Sequence, residues 1–96
     1  MNKQEAELLN ITLEECAEVT QAISKIFRFG WASCHPSTPG LTNRDHFEEE
    51  VGDLLCMIQL LEKQNLINGD NVRQAAKNKL NKLAKWSCVD VNNSGE

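Results

Sequence analysis

Thr42-Asn43-Arg44-Asp45-His46-Phe47-Glu48-Glu49-Glu50-Val51-Gly52-Asp53-Leu54-Leu55 is the stretch whose reading decides the fold. Thr42 followed three places on by Asp45 has the pattern of a capping box, in which each side chain accepts from a backbone N–H of the other. Beyond it Phe47, Val51, Leu54, Ile58 and Leu61 recur at spacings of three and four. That period belongs to one face of an amphipathic helix, since a strand would alternate every second residue. The helix starts near Thr42 or Asn43 and is expected to run to about Asn65.

The same period extends upstream. Leu9, Leu13, Cys16, Thr20, Ile23 and Phe27 form a stripe on a first helix, from about Gln4 to Phe29. Gly30 is its stop, and Arg28 lies in the last turn, where cations are favoured. Residues 30–42 hold both prolines and fit no regular element. A link this long often binds or covers a ligand. Downstream, Asn68-Gly69-Asp70 reads as a turn with Asp70 as N-cap. A third helix follows over about Asn71 to Trp86. Val72, Ala76, Leu80 and Leu83 are expected to face inward, and Trp86 to cap the core.

The expected fold is therefore all-α, with three main helices per chain in one domain over residues 1–88 and a polar, frayed tail over 89–96. Aromatics at 5% with no Tyr argue against a β-sandwich or small barrel. A chain of 96 residues hides only roughly 60–70% of its unfolded surface. Three helices also leave a bundle incomplete. Dimerisation is expected to complete it, as a homodimer or a dimer of dimers. No apolar run reaches the roughly 20 residues of a membrane span, and the N-terminus has no signal-peptide apolar region. No membrane partner is expected, and a cytoplasmic location is the default. Cys16, Cys34, Cys56 and Cys88 show no CxxC pair. Cys16 and Cys56 read as buried thiols inside helices. Cys34 and His35 lack two further ligands for a metal site.

The net charge of −4 is unevenly spread: residues 1–53 carry ten acids against four bases, and residues 54–96 carry six bases against four acids. The acidic part excludes a nucleic-acid surface. Dense acid suits a hard cation, and bases elsewhere suit a phosphate. Two acidic groups stand out, Glu14-Glu15-Cys16-Ala17-Glu18 and Glu50-Val51-Gly52-Asp53. Residues three apart on a helix share a face, with Cβ atoms roughly 5–6 Å apart. Glu15 with Glu18, and Glu50 with Asp53, thus form two carboxylate pairs beside apolar stripes. Side-by-side packing of the helices would bring all four together. Like charges so placed repel unless a cation offsets them. An all-oxygen set suits Mg²⁺ or Mn²⁺. Gly52, inside a helix at a cost of about 1 kcal/mol relative to Ala, points to close approach of another helix or a ligand.

The pattern EExxE followed by ExxD, each on a helix, resembles the MazG-like all-α nucleoside triphosphate pyrophosphohydrolases. That superfamily includes dimeric dUTPases, dCTP pyrophosphatases and phosphoribosyl-ATP pyrophosphatases. The stretch Glu49-Glu50-Val51-Gly52-Asp53-Leu54-Leu55 is similar to the family's second helix, and the likeness spans about residues 5–86. The link between Glu18 and Glu50 is long for the family. The resemblance implies hydrolysis of a nucleoside triphosphate at the α-phosphorus, giving monophosphate and pyrophosphate. It implies Glu15, Glu18, Glu50 and Asp53 as Mg²⁺ ligands. Glu14 would orient the attacking water, hold a second metal, or make a contact across a subunit interface.

Other candidates follow from position. Lys25 continues the helical face of Ile11, Glu15, Glu18 and Ala22, so it and Arg28, one turn on, are candidates for the outer phosphates. Asn78, Lys79 and Lys82 on the third helix resemble residues that family members place near substrate. Trp31 could stack on a base, and Asn10 and Ile11, one turn before Glu15, could touch the base edge. His46, four residues before Glu50 on the same face, reads first as a surface histidine of the helix start, and second as a hydrogen-bond partner of a ligand carboxylate or of the substrate. Two other readings compete. A di-metal oxidase bundle uses Glu-x-x-His pairs, and the chain has none. A non-catalytic helical partner protein with an acidic face would need no Mg²⁺.

Overall fold

In the computed structural model, which describes residues 1–92, three helices follow one another: α1 (Lys3–Phe29), α2 (Asn43–Lys63) and α3 (Gly69–Trp86). The last part of the expected tail, residues 93–96, lies outside the described residues. The described chain is all-helical apart from one isolated antiparallel bridge, Cys34 to Thr42. No helix among the described residues is long and apolar enough to cross a membrane.

Each helix begins on a side-chain cap. Asn2 Oδ1 accepts from Glu5 N at 2.8 Å. Thr42 and Asp45 form the full capping box: Asp45 N–H donates to Thr42 Oγ1 and Thr42 N–H donates to Asp45 Oδ2, both at 3.0 Å. The bonds from Thr42 hold the Asp45 carboxyl below the usual carboxylate range. The third cap differs from the expected one. Asn68, not Asp70, caps α3, accepting from both Asp70 N and Asn71 N. Asn is as good a cap as Asp, and Asp70 then sits in the first turn, where the helix dipole favours an anion. The box at α2 carries a prediction. Thr42→Ala should cost about 1 kcal/mol of stability, read as a lower urea midpoint with unchanged slope.

The 30–42 link is tied down at both ends. Gly30 ends α1 at φ 89°, a backbone region that favours glycine. Its carbonyl accepts from Asn43 Nδ2 at 2.9 Å. The first backbone N–H groups of α2, which have no intrahelical partner, donate to the link: Asn43 N to Ser33 O at 2.8 Å and Arg44 N to Trp31 O at 3.0 Å. The segment is thus a closed loop seated on the N-terminus of α2.

α1 packs against α2, and the facing stripes can be read from burial. On α1 they are Leu8, Ile11, Thr12, Glu15, Val19, Ala22 and Ile26; on α2, His46, Phe47, Glu50, Leu54, Met57, Ile58 and Leu61. The small side chain of Ala22, 1% exposed, is the deepest point, with Met57 and Leu61 also buried. These three are the whole buried apolar core among the described residues.

Several expected core positions lie outside it. Leu9, Leu13, Ile23 and Phe27 are exposed, with Leu13 at 69% and Phe27 at 87%. The α1 stripe read from periodicity is therefore not the one that meets α2. The adjacent stripe, which carries Glu15 and Glu18, takes that place. Cys16 and Cys56 are exposed, not buried. Val51, Val72 and Leu80 are exposed, Ala76 likewise, and Trp86 stands at 84% exposure and caps nothing. The physical reason is that α3 makes no packing with α1 or α2 comparable to theirs with each other. It is attached near its start, where Arg73, itself paired with Asp70 of the same helix, reaches Glu62 of α2 at 3.4 Å. A Cβ at Gly52 would meet nothing within 4 Å, so no contact inside the chain explains that glycine.

Candidate metal centre

The α1–α2 packing decides the site. Glu15 lies on the α1 stripe that meets α2, and Glu50 on the α2 stripe that meets α1. Asp53 is one turn on from Glu50. One carboxylate oxygen from each of the three lies within 4.8 Å of the others. The sequence candidates thus divide. Glu15, Glu50 and Asp53 come together across the helix pair. Glu18, half-buried one turn beyond Glu15, does not join that group, and Glu14 is exposed.

Electrostatics mark the same place. Partial burial, then the charges of Asp53, Glu50, Glu18 and Glu14, in that order, push the Glu15 carboxyl above the usual 4.5. Folding thus sets Glu15 among four other acids that disfavour its charge. A divalent cation relieves that repulsion, and the donor set, all oxygen from two helices, fits Mg²⁺ or Mn²⁺. For one supporting residue the second of the two sequence readings holds. His46 is not a free surface histidine: its Nε2 lies 3.2 Å from Glu50 Oε1, with both side chains largely covered. The signal was present, since residues four apart share a helix face. Ligand carboxylates are commonly held by such partners.

The remaining candidates are spread out. Lys25 is exposed on α1 and lines a cleft at the helix end. Arg28 places its guanidinium 4.9 Å from the Phe29 ring centroid. Trp31 packs against Phe47, with centroids 6.0 Å apart, and under Arg44, whose guanidinium lies 4.8 Å from its centroid. Asn10 is exposed and Ile11 half-buried on the α1 stripe that meets α2. Asn78 accepts from Gln74 Nε2 at 3.1 Å, and Lys79 and Lys82 are exposed on α3, away from the acidic trio's helix pair.

The family profile of the MazG nucleotide pyrophosphohydrolase domain matches residues 3–87. This chain belongs to the MazG nucleotide pyrophosphohydrolase family. The match runs through all three helices and both acidic motifs. Members of this family are in general nucleoside triphosphate pyrophosphohydrolases and typically depend on a divalent metal. No curated protein and no solved structure matches the chain.

Proposed function

We propose that this chain is a Mg²⁺-dependent nucleoside triphosphate pyrophosphohydrolase that cleaves at the α-phosphorus, releasing the monophosphate and pyrophosphate. The observation that carries the reading is the convergence of Glu15, Glu50 and Asp53 from two helices, with donor atoms within 4.8 Å. These three, with Glu18 one turn away, would hold the metal. Mg²⁺ or Mn²⁺ bound there supplies charge neutralisation of phosphate oxygens and activation of water. The protein's own residues do the positioning. His46 fixes the Glu50 carboxylate. Glu14, exposed beside Glu15, has the reach to orient the attacking water. Lys25, which lines the cleft at the end of α1, and Arg28 beyond it would meet the phosphate next to the nucleoside and not the outer phosphates first expected of them. Little covalent chemistry is asked of the side chains, so charge and geometry carry the rate.

We also propose that the working form is a homodimer, alone or paired into a tetramer. Asn78, Lys79 and Lys82 would then serve a site shared between chains, which suits their place on an α3 that does not pack on its own α1–α2 pair.

A panel of ribo- and deoxynucleoside triphosphates with Mg²⁺, assayed for pyrophosphate and monophosphate, tests the reaction. At least one should be turned over into both products in equal amounts, and chelation should stop it. Release of orthophosphate, or no turnover of any triphosphate, overturns the reading and favours the non-catalytic acidic partner protein.

A further inference from the structure

Among the clefts of the described surface, two lie at the joints between elements. One, at the α2–α3 elbow, is lined by Glu62, Asp70 and Arg73, whose charges pair with one another. The other lies between the C-terminal end of α1, the 30–42 loop and the start of α2, and has a volume of about 420 Å³. This second cleft is built by the segment whose length departs from the family pattern.

Its position ties it to the metal centre. His46 lines the cleft and also lies 3.2 Å from Glu50 Oε1, so one wall is a single side chain removed from the acidic trio. Lys25 lines it from α1, on the helical face that carries Glu15 and Glu18. A triphosphate held at the trio therefore has the cleft within reach of one of its ends. The lining says which end. Phe29, Pro36 and Leu41 give it apolar walls, which suit a base and a sugar and not a chain of phosphates. The volume lies in the ordinary range for small-ligand pockets. His35 supplies a polar contact of fixed sense. Its Nδ1 accepts from Ser37 N at 3.0 Å, so in the neutral ring the proton sits on Nε2. The loop is also pre-shaped, because α2 and Gly30 hold its ends through backbone and Asn43 bonds.

We infer that this cleft receives the nucleoside part of the substrate, so that the 30–42 loop, with Phe29 and His35, is the specificity element. The inference rests on the pyrophosphohydrolase reading for the class of ligand, but its test does not need turnover. The four common deoxynucleoside 5′-monophosphates and inorganic pyrophosphate are titrated separately, with Mg²⁺, into the full-length protein labelled for backbone-amide NMR. At least one monophosphate should shift the amides of residues 33–38 and Leu41, and pyrophosphate should leave them in place. Phe29→Ala should weaken monophosphate binding about tenfold, the scale of one lost base–aromatic contact, and leave pyrophosphate affinity unchanged. Phe29 is 58% exposed, so the variant should fold as the parent does. Monophosphate shifts confined to Asn10 and Ile11, loop shifts with pyrophosphate alone, no binding by any monophosphate, or an unchanged affinity in Phe29→Ala each overturn the assignment. Loop binding by a monophosphate in a protein that hydrolyses no triphosphate overturns the catalytic reading and leaves the cleft assigned.

Discussion

Replacing Glu15 with Gln is expected to lower Mg²⁺-dependent turnover by at least about a hundredfold and, in the metal-free protein at pH 8, to raise the melting temperature. The two effects have one cause. Glu15 belongs to the trio whose oxygens lie within 4.8 Å of each other, so it supplies charge where the cation would bind. Loss of one such preorganised group commonly costs about 10²–10³ in rate. Without the cation, the same charge is a liability. Partial burial and the neighbouring acids raise the Glu15 carboxyl above its usual value of 4.5. The folded chain therefore holds this proton to higher pH than the unfolded chain does. Stability falls as pH rises from about 4.5 through the raised value, and above it the full cost is present. Gln is neutral and removes that cost. Mg²⁺ should accordingly raise the melting temperature of the parent at pH 8, much less at pH 4, and hardly at all in the variant. A metal-free variant that melts below the parent at pH 8 would count against a strained acidic site, and full turnover in the variant would remove Glu15 from the metal.

The helices themselves were legible because local chemistry fixes them. Thr42 and Asp45 form their capping box wherever α2 points, and Gly30 ends α1 whatever it packs on. The acidic motifs were legible for a similar reason, since helical spacing alone puts Glu50 and Asp53 one turn apart. Packing was harder to read. α1 has two candidate stripes, and periodicity favours the more apolar one, Leu9, Leu13, Ile23 and Phe27. The stripe that meets α2 instead includes Glu15 and Glu18 beside Ile11, Val19 and Ala22. The proposed metal centre would need its carboxylates in that seam, against the ordinary rule that charges face water. The same rule ranks the surface reading of His46 above its contact with Glu50, and the contact is what the fold makes. The place of α3 was illegible because its apolar residues find no partner within the chain.

Those unpartnered residues lead to the second large expectation. The parent should sediment as a dimer or tetramer at micromolar concentration. Leu13→Glu combined with Ile23→Glu should give a monomer with turnover reduced at least about a hundredfold, although neither residue belongs to the acidic trio. The surface arithmetic supports this. A compact protein of 10.8 kDa exposes about 5,500 Å², whereas this chain exposes 7663 Å². The difference, roughly 2,000 Å² per chain, is what an obligate homodimer buries. The radius of gyration, 16.3 Å, likewise exceeds the value of about 13 Å for a compact chain of this length. A core of Ala22, Met57 and Leu61 is too small to hold three helices, so the exposed α1 stripe, with Val51, Leu55 and Leu80, must be covered for the chain to be stable. In the homodimer proposed above a second copy would cover it, one apolar face closing on its equivalent about a twofold axis. Two glutamates in that face would each need burial without a partner, which is costly enough to dissociate it. The monomer would retain Glu15, Glu50 and Asp53 but lose the α3 lysines of the other chain. A monomeric parent with full turnover would overturn the shared site. A monomeric double variant with full turnover would separate assembly from catalysis and assign the phosphates to Lys25 and Arg28 of the same chain alone.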